Sequence, residues 1–171
     1  MRVAVAVLCG LLTACSGDGG NQAAAPQDLE SAAIERGLVS DPDESDLTGL
    51  YARDTDRVCV VRDRDSYRIG AFVDYGDGLS CTGTGTVSRA GEALSVTLTG
   101  PKTKNGVGVT CSFDARFDGE HIRFPATVPP DCAKFCGPRA SFAALSVERL
   151  SSSAAEARAL RSAEGKRLCE D

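Results

Sequence analysis

Apolar and polar side chains alternate along most of the chain between residues 47 and 149. In the run 107–117 the odd-numbered positions are apolar, and the even-numbered positions are glycine, hydroxyl-bearing or charged. Residues 92–99 follow a similar rule. A period of two is typical of strands that bury one face. The pattern predicts eight strands, at 47–53, 57–62, 66–74, 80–88, 92–99, 107–117, 120–125 and 141–149.

The predicted strands are joined by short connections rich in turn-forming residues. Asp118-Gly119, flanked by apolar alternation, is a strong signal for a tight hairpin. Strands that follow one another closely pair as antiparallel neighbours, and closing the sheet into a barrel removes its unpaired edges. The sequence therefore predicts a mainly β fold, an up-and-down antiparallel barrel of about eight strands. Segment 126–140, which contains Pro129-Pro130, is a long connection among these short ones. We expect it to fold across one barrel mouth.

Two short stretches outside the barrel favour helix. Residues 28–37 have Asp28 in an N-cap position and Gly37 just past the end. Near the C-terminus, Ser153 and Glu156 match a capping box and are followed by helix-forming residues. We expect this second helix to end at Gly165, with Cys169 in the tail that follows.

The first residues have the pattern of an export signal. Arg2 precedes an apolar run over residues 3–14, which is too short to cross a bilayer because a span needs about twenty residues. The run ends in Leu12-Thr13-Ala14-Cys15, which resembles the lipobox of bacterial lipoproteins. The resemblance implies cleavage before Cys15 and attachment of acyl chains to it, and two or more chains give stable anchoring. A plain signal peptide with a chance cysteine is the alternative.

These observations divide the chain into four parts. We expect a signal peptide at 1–14, a lipidated cysteine and tether with a short helix at 15–46, the barrel at 47–150, and a helix and tail at 151–171. Ser16 follows the modified cysteine, which resembles the pattern sent to the outer membrane in Gram-negative bacteria. The predicted location is therefore the periplasmic face of the outer membrane, with the lipid bilayer as a partner through the acyl chains.

The net charge of the chain bears on which classes of binding partner it can have. The chain carries 19 basic and 24 acidic residues, a net charge of −5, and loss of Arg2 with the leader makes it −6. A nucleic-acid partner requires a basic face, so the composition argues against one. Lys102 and Lys104 form a basic loop in this acidic chain, and we regard it as a candidate partner loop.

Cysteine usage indicates disulfides. Cys9 leaves with the leader and Cys15 takes the lipid, so six cysteines remain, an even number in an exported domain. We expect three disulfides; a zinc site at the Cys132-x-x-x-Cys136 pair is the alternative. Fifteen pairings are open to six cysteines. Our preferred set is Cys132–Cys136, Cys81–Cys111 and Cys59–Cys169.

The first strand begins with Gly49-Leu50-Tyr51, which resembles the G-x-W opening of lipocalin-like barrels with Tyr51 in place of Trp. In that superfamily an arginine near the end of the last strand packs over the aromatic ring, and a C-terminal helix follows. Arg149 stands in the matching position. The resemblance implies a cation–π contact between Arg149 and Tyr51 worth about 0.5–2 kcal/mol.

The sequence motifs do not specify one function, so several functions are considered. The layout also resembles bacterial membrane-bound inhibitors of c-type lysozyme, although their inhibitory loop motifs have no counterpart here. We expect a non-catalytic interaction module, with protein inhibition as one form of that role, and no cofactor. A binder of a small apolar ligand is the alternative, since Ala71 and Ala115 would leave room inside the barrel. An enzyme is the second alternative; His121 is the single histidine, and a turn explains its polarity.

Overall fold

The computed structural model describes residues 29–38, 41, 44–102 and 108–170. The leader, the predicted lipid site Cys15 and Lys104 lie outside the described residues. Of the predicted tether, the structure describes 29–38, 41 and 44–46.

The strands form the closed barrel that the sequence predicts. Each strand pairs in antiparallel fashion with the next, and the last pairs with the first. The strands are β1 Gly49–Arg53, β2 Asp56–Asp63, β3 Ser66–Asp74, β4 Ser80–Ala90, β5 Ala93–Lys102, β6 Gly108–Phe117, β7 His121–Arg123 and β8 Ser146–Ser151.

Alternation decides which side chains enter the barrel. Along β6 the apolar positions Cys111, Phe113, Ala115 and Phe117 are buried, whereas the polar positions between them are exposed. Apolar residues of the other strands join them in one core inside the barrel. Along β6 the period-two pattern therefore predicted both the strand and the face that it buries.

The last predicted strand was wrong at its start. β8 begins at Ser146 and not at residue 141. Ala144, inside the predicted strand, has a positive φ angle of 58°, which lies outside the β region, so the backbone cannot continue as a strand through it. Segment 124–145 instead lies over one barrel end and contains a short 3₁₀ helix, η1, Pro130–Phe135.

The two predicted helices exist and are short. Helix α1 spans Leu29–Glu35 and α2 spans Ala154–Ala159, with the Ser153 hydroxyl accepting a hydrogen bond from the Glu156 N–H. The predicted end of α2 at Gly165 was wrong, because the chain leaves the helix at Leu160. Gly165, at φ +79°, lies in a turn that sends the tail back toward the barrel wall.

The tail covers an outward-facing apolar patch. Cys59 and Val61 of β2 point away from the barrel interior and form a second, smaller core with Ala157, Leu168 and Cys169. The close contact explains Gly70 on the adjacent strand, because a Cβ there would stand 2.5 Å from the Leu168 Cβ and 2.9 Å from the Cys59 Sγ.

Three disulfides are present. The pair Cys59–Cys169 matches the preferred pairing, but the other two pairs were wrong. Cys81 and Cys111 lie on β4 and β6 with β5 between them, so about 9–10 Å of sheet separates their strands, beyond the reach of one disulfide. Each bonds instead to a cysteine of the long segment. The observed pairs are Cys59–Cys169, Cys81–Cys136 and Cys111–Cys132.

The up-and-down topology gives the barrel two distinct ends. Segment 44–48, which enters β1, lies at the same end as the turns at 64–65, 91–92 and 118–120; we call this end the N-terminal mouth. Segment 124–145 and the end of β5 lie at the opposite end, which we call the disulfide mouth.

Candidate interaction surface

The barrel interior is occupied by its own side chains. The small residue Gly83 lies inside beside Ala71 in the paired strand, and a Cβ on it would stand 2.9 Å from the Leu98 Cδ1 and 3.3 Å from the Phe142 Cζ. The Phe142 ring therefore fills the space next to these small positions. Several grooves lined by described residues lie along the outer wall or at turns.

Arg149 closes the N-terminal mouth. Its guanidinium carbon stands 5.0 Å from the centre of the Tyr51 ring, so the contact expected from the G-x-Y motif is present. The same group donates to the carbonyl oxygens of Thr48 at 2.9 Å, Asp46 at 2.7 Å and Gly119 at 3.1 Å. Gly49 permits the close approach of β8 and of Arg149, because a Cβ there would stand 2.4 Å from the Ser151 carbonyl oxygen and 3.3 Å from the Arg149 Nη1.

Segment 44–48 is held over the aromatic rings below it. Tyr51 is fully buried, and its hydroxyl donates to the Leu47 carbonyl at 2.8 Å. Burial raises the pKa of Tyr51, outweighing the neighbouring Arg149 charge, so the hydroxyl stays protonated. Arg89 packs over Phe117 at 4.9 Å and donates to the Ser45 carbonyl. These contacts make the N-terminal mouth a covered end.

The disulfide mouth is covered by the long segment 124–145, which is held by packed aromatic rings and by disulfides. The ring of Phe124 lies 4.7 Å from that of Phe113 and 6.4 Å from that of Phe142, centre to centre. Two disulfides join the covering segment to the inward-facing Cys81 and Cys111. Both ends of the described barrel are therefore covered, which leaves its outside as the surface on which to look for a site.

A groove runs along the outer wall between the C-terminal tail and strands β4 and β5. Two adjoining depressions share Thr84, Thr99, Lys166 and Leu168, so they form one feature, which we call the tail groove. Its remaining lining residues are Arg68, Thr82, Gly83, Gly85, Thr86, Gly100, Phe135, Arg167 and Glu170.

The ionisable groups of the tail groove are mainly basic. Arg68 pairs with Asp63 at 3.1 Å and donates to the Glu170 carbonyl at 3.1 Å, while Arg167 pairs with the Glu170 carboxylate. Lys166 lines both depressions, and no described residue forms a hydrogen bond or ion pair with its ammonium group. The groove thus presents a cation that is available to a ligand.

Of the candidate partner loop, the structure describes Lys102, which belongs to a strand that lines this groove. Lys102 ends β5, two residues after Gly100, which lines the groove. The loop was predicted from the sequence, but the groove was not. A sequence signal for the groove is the segment Thr82-Gly83-Thr84-Gly85-Thr86, whose outward positions carry hydroxyls and no charge. The wall that completes the groove comes from a tail far away in sequence, so only the fold brings the two together.

His121 lies at the N-terminal mouth and serves the β6–β7 turn. Its Nδ1 stands 3.2 Å from an Asp118 oxygen, which also accepts backbone N–H bonds from Glu120 and His121. The other Asp118 oxygen accepts from Arg123 at 2.6 Å. Burial works to raise the pKa of Asp118, but the hydrogen bonds outweigh it and lower the pKa to about 2. The Asp118 carboxylate thus stabilises the β6–β7 turn.

Two further features of the described residues bear on the predictions. No group of three or more His, Cys, Asp or Glu side chains is arranged there to hold a metal ion. Cys132 and Cys136, the pair offered for zinc, are each bonded to another cysteine as a disulfide. Neither α1 nor α2 has the length and apolar character that a helical membrane span requires, and the described part holds no other such helix.

Comparisons with family models, with curated proteins and with solved structures found no match to this chain. The lipobox, the lipocalin-like motif and the layout of the lysozyme inhibitors therefore remain resemblances. The closed eight-stranded antiparallel barrel with three disulfides is the part of them that the structure supports.

Proposed function

We propose that this protein is a non-catalytic interaction module of the cell envelope, held on the membrane through a lipidated Cys15, which binds a partner protein on the outside of its barrel. Inhibition of that partner is one outcome such binding would have. The observation that carries the proposal is the contrast between a filled barrel, covered at both mouths, and an open polar groove on its wall.

The topology supports outward recognition. Segment 44–48 connects the barrel to the tether at the N-terminal mouth, whereas Lys102 and the covering segment 124–145 lie at the disulfide mouth. A domain held from one end presents its opposite end and its sides to the surrounding compartment. The tail groove opens beside Phe135 and Gly100, toward the end away from the tether.

The filled interior disfavours the apolar-ligand alternative, because a pocket for a small molecule needs about 300–1,000 Å³ of space. We expect solvent extraction of the purified barrel, followed by mass spectrometry, to release no apolar compound in stoichiometric amount. An extract with one such compound per barrel would favour the alternative and contradict binding on the outside alone.

Site-specific photo-crosslinking in the cells that encode the protein tests the proposed function. A photoreactive residue replaces Thr99 in the tail groove, Ser112 on the neighbouring outer wall, or Glu148 on the opposite wall of the full chain. We expect a covalent adduct with an envelope protein from at least one outward position. Illumination without any adduct at every outward position tested would overturn the proposal.

The anchor has its own test, independent of the partner. Cells supplied with a labelled fatty acid should transfer the label to the chain, and the matched variant Cys15→Ser should remain unlabelled and unprocessed. A labelled Cys15→Ser variant, or an unlabelled wild-type chain in cells that process lipoproteins, would remove the anchor from the proposal.

A further inference from the structure

We propose that the tail groove binds an extended, acidic polypeptide segment of the partner. This inference rests on the proposed function and adds to it the place of binding and the chemistry of the ligand. Three features of the groove support it: its charge, the spacing of its hydroxyls and the packing of its one aromatic residue.

Charge in the groove is opposite to that of the chain. The chain as a whole has a net charge of −5. The described ionisable residues that line the groove are three cations, Arg68, Lys166 and Arg167, and one carboxylate, Glu170. Arg68 pairs with Asp63 and Arg167 with Glu170, so the balance is +1 when these ion-pair partners are counted. The Lys166 ammonium group has no hydrogen-bond or ion-pair partner among the described residues, and Lys166 lines both depressions. A negatively charged ligand would therefore find complementary charge here.

The floor of the groove matches an extended chain. Thr82, Thr84 and Thr86 alternate along β4, so their hydroxyls repeat at about 6.7 Å, which is the repeat of alternate residues in an extended peptide. Thr99 stands opposite Thr84 in the neighbouring strand. Hydroxyls both donate and accept hydrogen bonds, and they lose less on burial than charged groups do.

The neutral character extends beyond the groove. The other outward-facing side chains of β4 and β5 over residues 80–99 are also small and uncharged, including Ser88, Ser95 and Thr97. Interface centres are depleted of charged side chains, because burying a charge without a partner is costly. A partner can therefore cover this wall at little desolvation cost, with Lys166 providing charge at its border.

A polysaccharide is the other anionic polymer to consider, and the groove suits it less well. Sugar rings commonly pack on exposed aromatic faces, and Phe135 is the single aromatic residue among those lining the groove. Its ring edge is packed against the backbone, since a Cβ on Gly100 would stand 3.2 Å from the Phe135 Cε1. The strands in the floor of the groove, β4 and β5, are each paired with neighbours on both sides at Thr84 and Thr99, so recognition there must use side chains.

Binding of defined probes to the purified, full-length processed protein tests the inference. The probe is a fluorescent decapeptide of alternating Glu and Ser, the neutral control replaces each Glu by Gln, and the glycan control is polygalacturonate. We expect the Glu peptide to bind, the Gln peptide to bind at least tenfold more weakly, and added salt to weaken the Glu peptide because ion pairs are screened.

Matched variants locate the site. Lys166→Glu should weaken binding of the Glu peptide about fivefold, since one exposed ion pair is worth up to about 1 kcal/mol and reversal adds a repulsion. Arg158→Glu makes the same charge reversal on the exposed surface of α2, away from the groove, and should change binding less than twofold. Thr99→Val should weaken binding about threefold, whereas Thr110→Val, across from it on β6, should not.

The outcomes separate the two proposals. Equal affinity of Lys166→Glu and Arg158→Glu for the Glu peptide, or tighter binding of polygalacturonate than of the peptide, would overturn the acidic-segment inference. Crosslinks to a partner from Ser112 or Glu148 but not from Thr99 would also overturn it, while leaving the interaction module standing. Loss of every crosslink overturns the proposed function itself.

Discussion

The two mouths of the barrel are covered in opposite ways. At the N-terminal mouth a five-residue segment, 44–48, is held by arginine side chains that lie over aromatic rings and donate to its carbonyls. At the disulfide mouth the much longer segment 124–145 has little regular structure and is joined to β4 and β6 by two disulfides.

The difference follows from the length of chain to be ordered. Fixing a residue costs about 1–2 kcal/mol of backbone entropy, so a long irregular cover needs much more compensation than a short one. Disulfides supply it by restricting the unfolded chain, whereas a few charge-assisted hydrogen bonds suffice for five residues. The comparison predicts that the two mouths will respond differently to substitution and to pH.

The largest effect is expected from opening the disulfide mouth. Replacing Cys81 and Cys136 with Ala removes a cross-link between residues 55 apart, which should lower the free energy of unfolding by about 4 kcal/mol on the loop-closure relation. Removing the Cys111–Cys132 link, 21 residues apart, should cost about 3 kcal/mol. Guanidinium unfolding of oxidised proteins measures both. A variant as stable as the wild type would show that the cover does not depend on its cross-links.

The next effect is expected at the N-terminal mouth. Arg149→Ala removes three hydrogen bonds to carbonyls and the packing over Tyr51, and it should lower the free energy of unfolding by about 3 kcal/mol. Arg149→Lys should recover only part of the loss, because an ammonium group lacks the planar fork that reaches several acceptors. Equal stabilities of the Lys variant and the wild type would reduce the role of Arg149 to its charge.

A smaller effect is expected from the Tyr51 hydroxyl. Tyr51→Phe leaves the Leu47 carbonyl without its donor and should cost about 1–2 kcal/mol. Because burial raises the pKa of Tyr51 above its ordinary value of 10.0, the unfolded chain ionises first. Ionisation of Tyr51 should therefore leave the free energy of unfolding of the wild type unchanged below pH 10 and should lower it as the pH rises further. If Tyr51→Phe shows the same alkaline loss as the wild type, another group causes it.

The smallest effect is expected at the β6–β7 turn. The pKa of Asp118 is about 2, below the ordinary 3.8, so its carboxylate stabilises the fold above about pH 4 and the contribution is lost as the pH falls toward 2. The side chain is 33% exposed, and solvent screening limits the loss in Asp118→Asn to about 1 kcal/mol at neutral pH. The stability gap between the two proteins should narrow on acidification. A gap independent of pH would mean that the loss comes from geometry and not from charge.

Local pattern was enough for much of the fold because strands and turns are local choices. Period-two alternation placed β6 and its buried face, and Asp118-Gly119 placed a turn. The Arg149–Tyr51 contact was expected from the resemblance of Gly49-Leu50-Tyr51 to a lipocalin-like opening, and the two residues meet because β1 pairs with β8. In 141–145, by contrast, apolar residues that suit a strand serve as a cover, since the backbone turns at Ala144.

The sequence by itself determined that this chain is a barrel of antiparallel strands and that six cysteines are available to pair. The tertiary structure alone decided which cysteines bond and where a groove forms. Cys81 and Cys111 both occupy inward, apolar positions of the alternating pattern, so the pattern gives no reason against pairing them. A disulfide requires its two cysteines to be close in space, and the intervening strand β5 keeps these two apart. The tail groove likewise needs Lys166 beside Thr84, a neighbourhood that no local pattern contains.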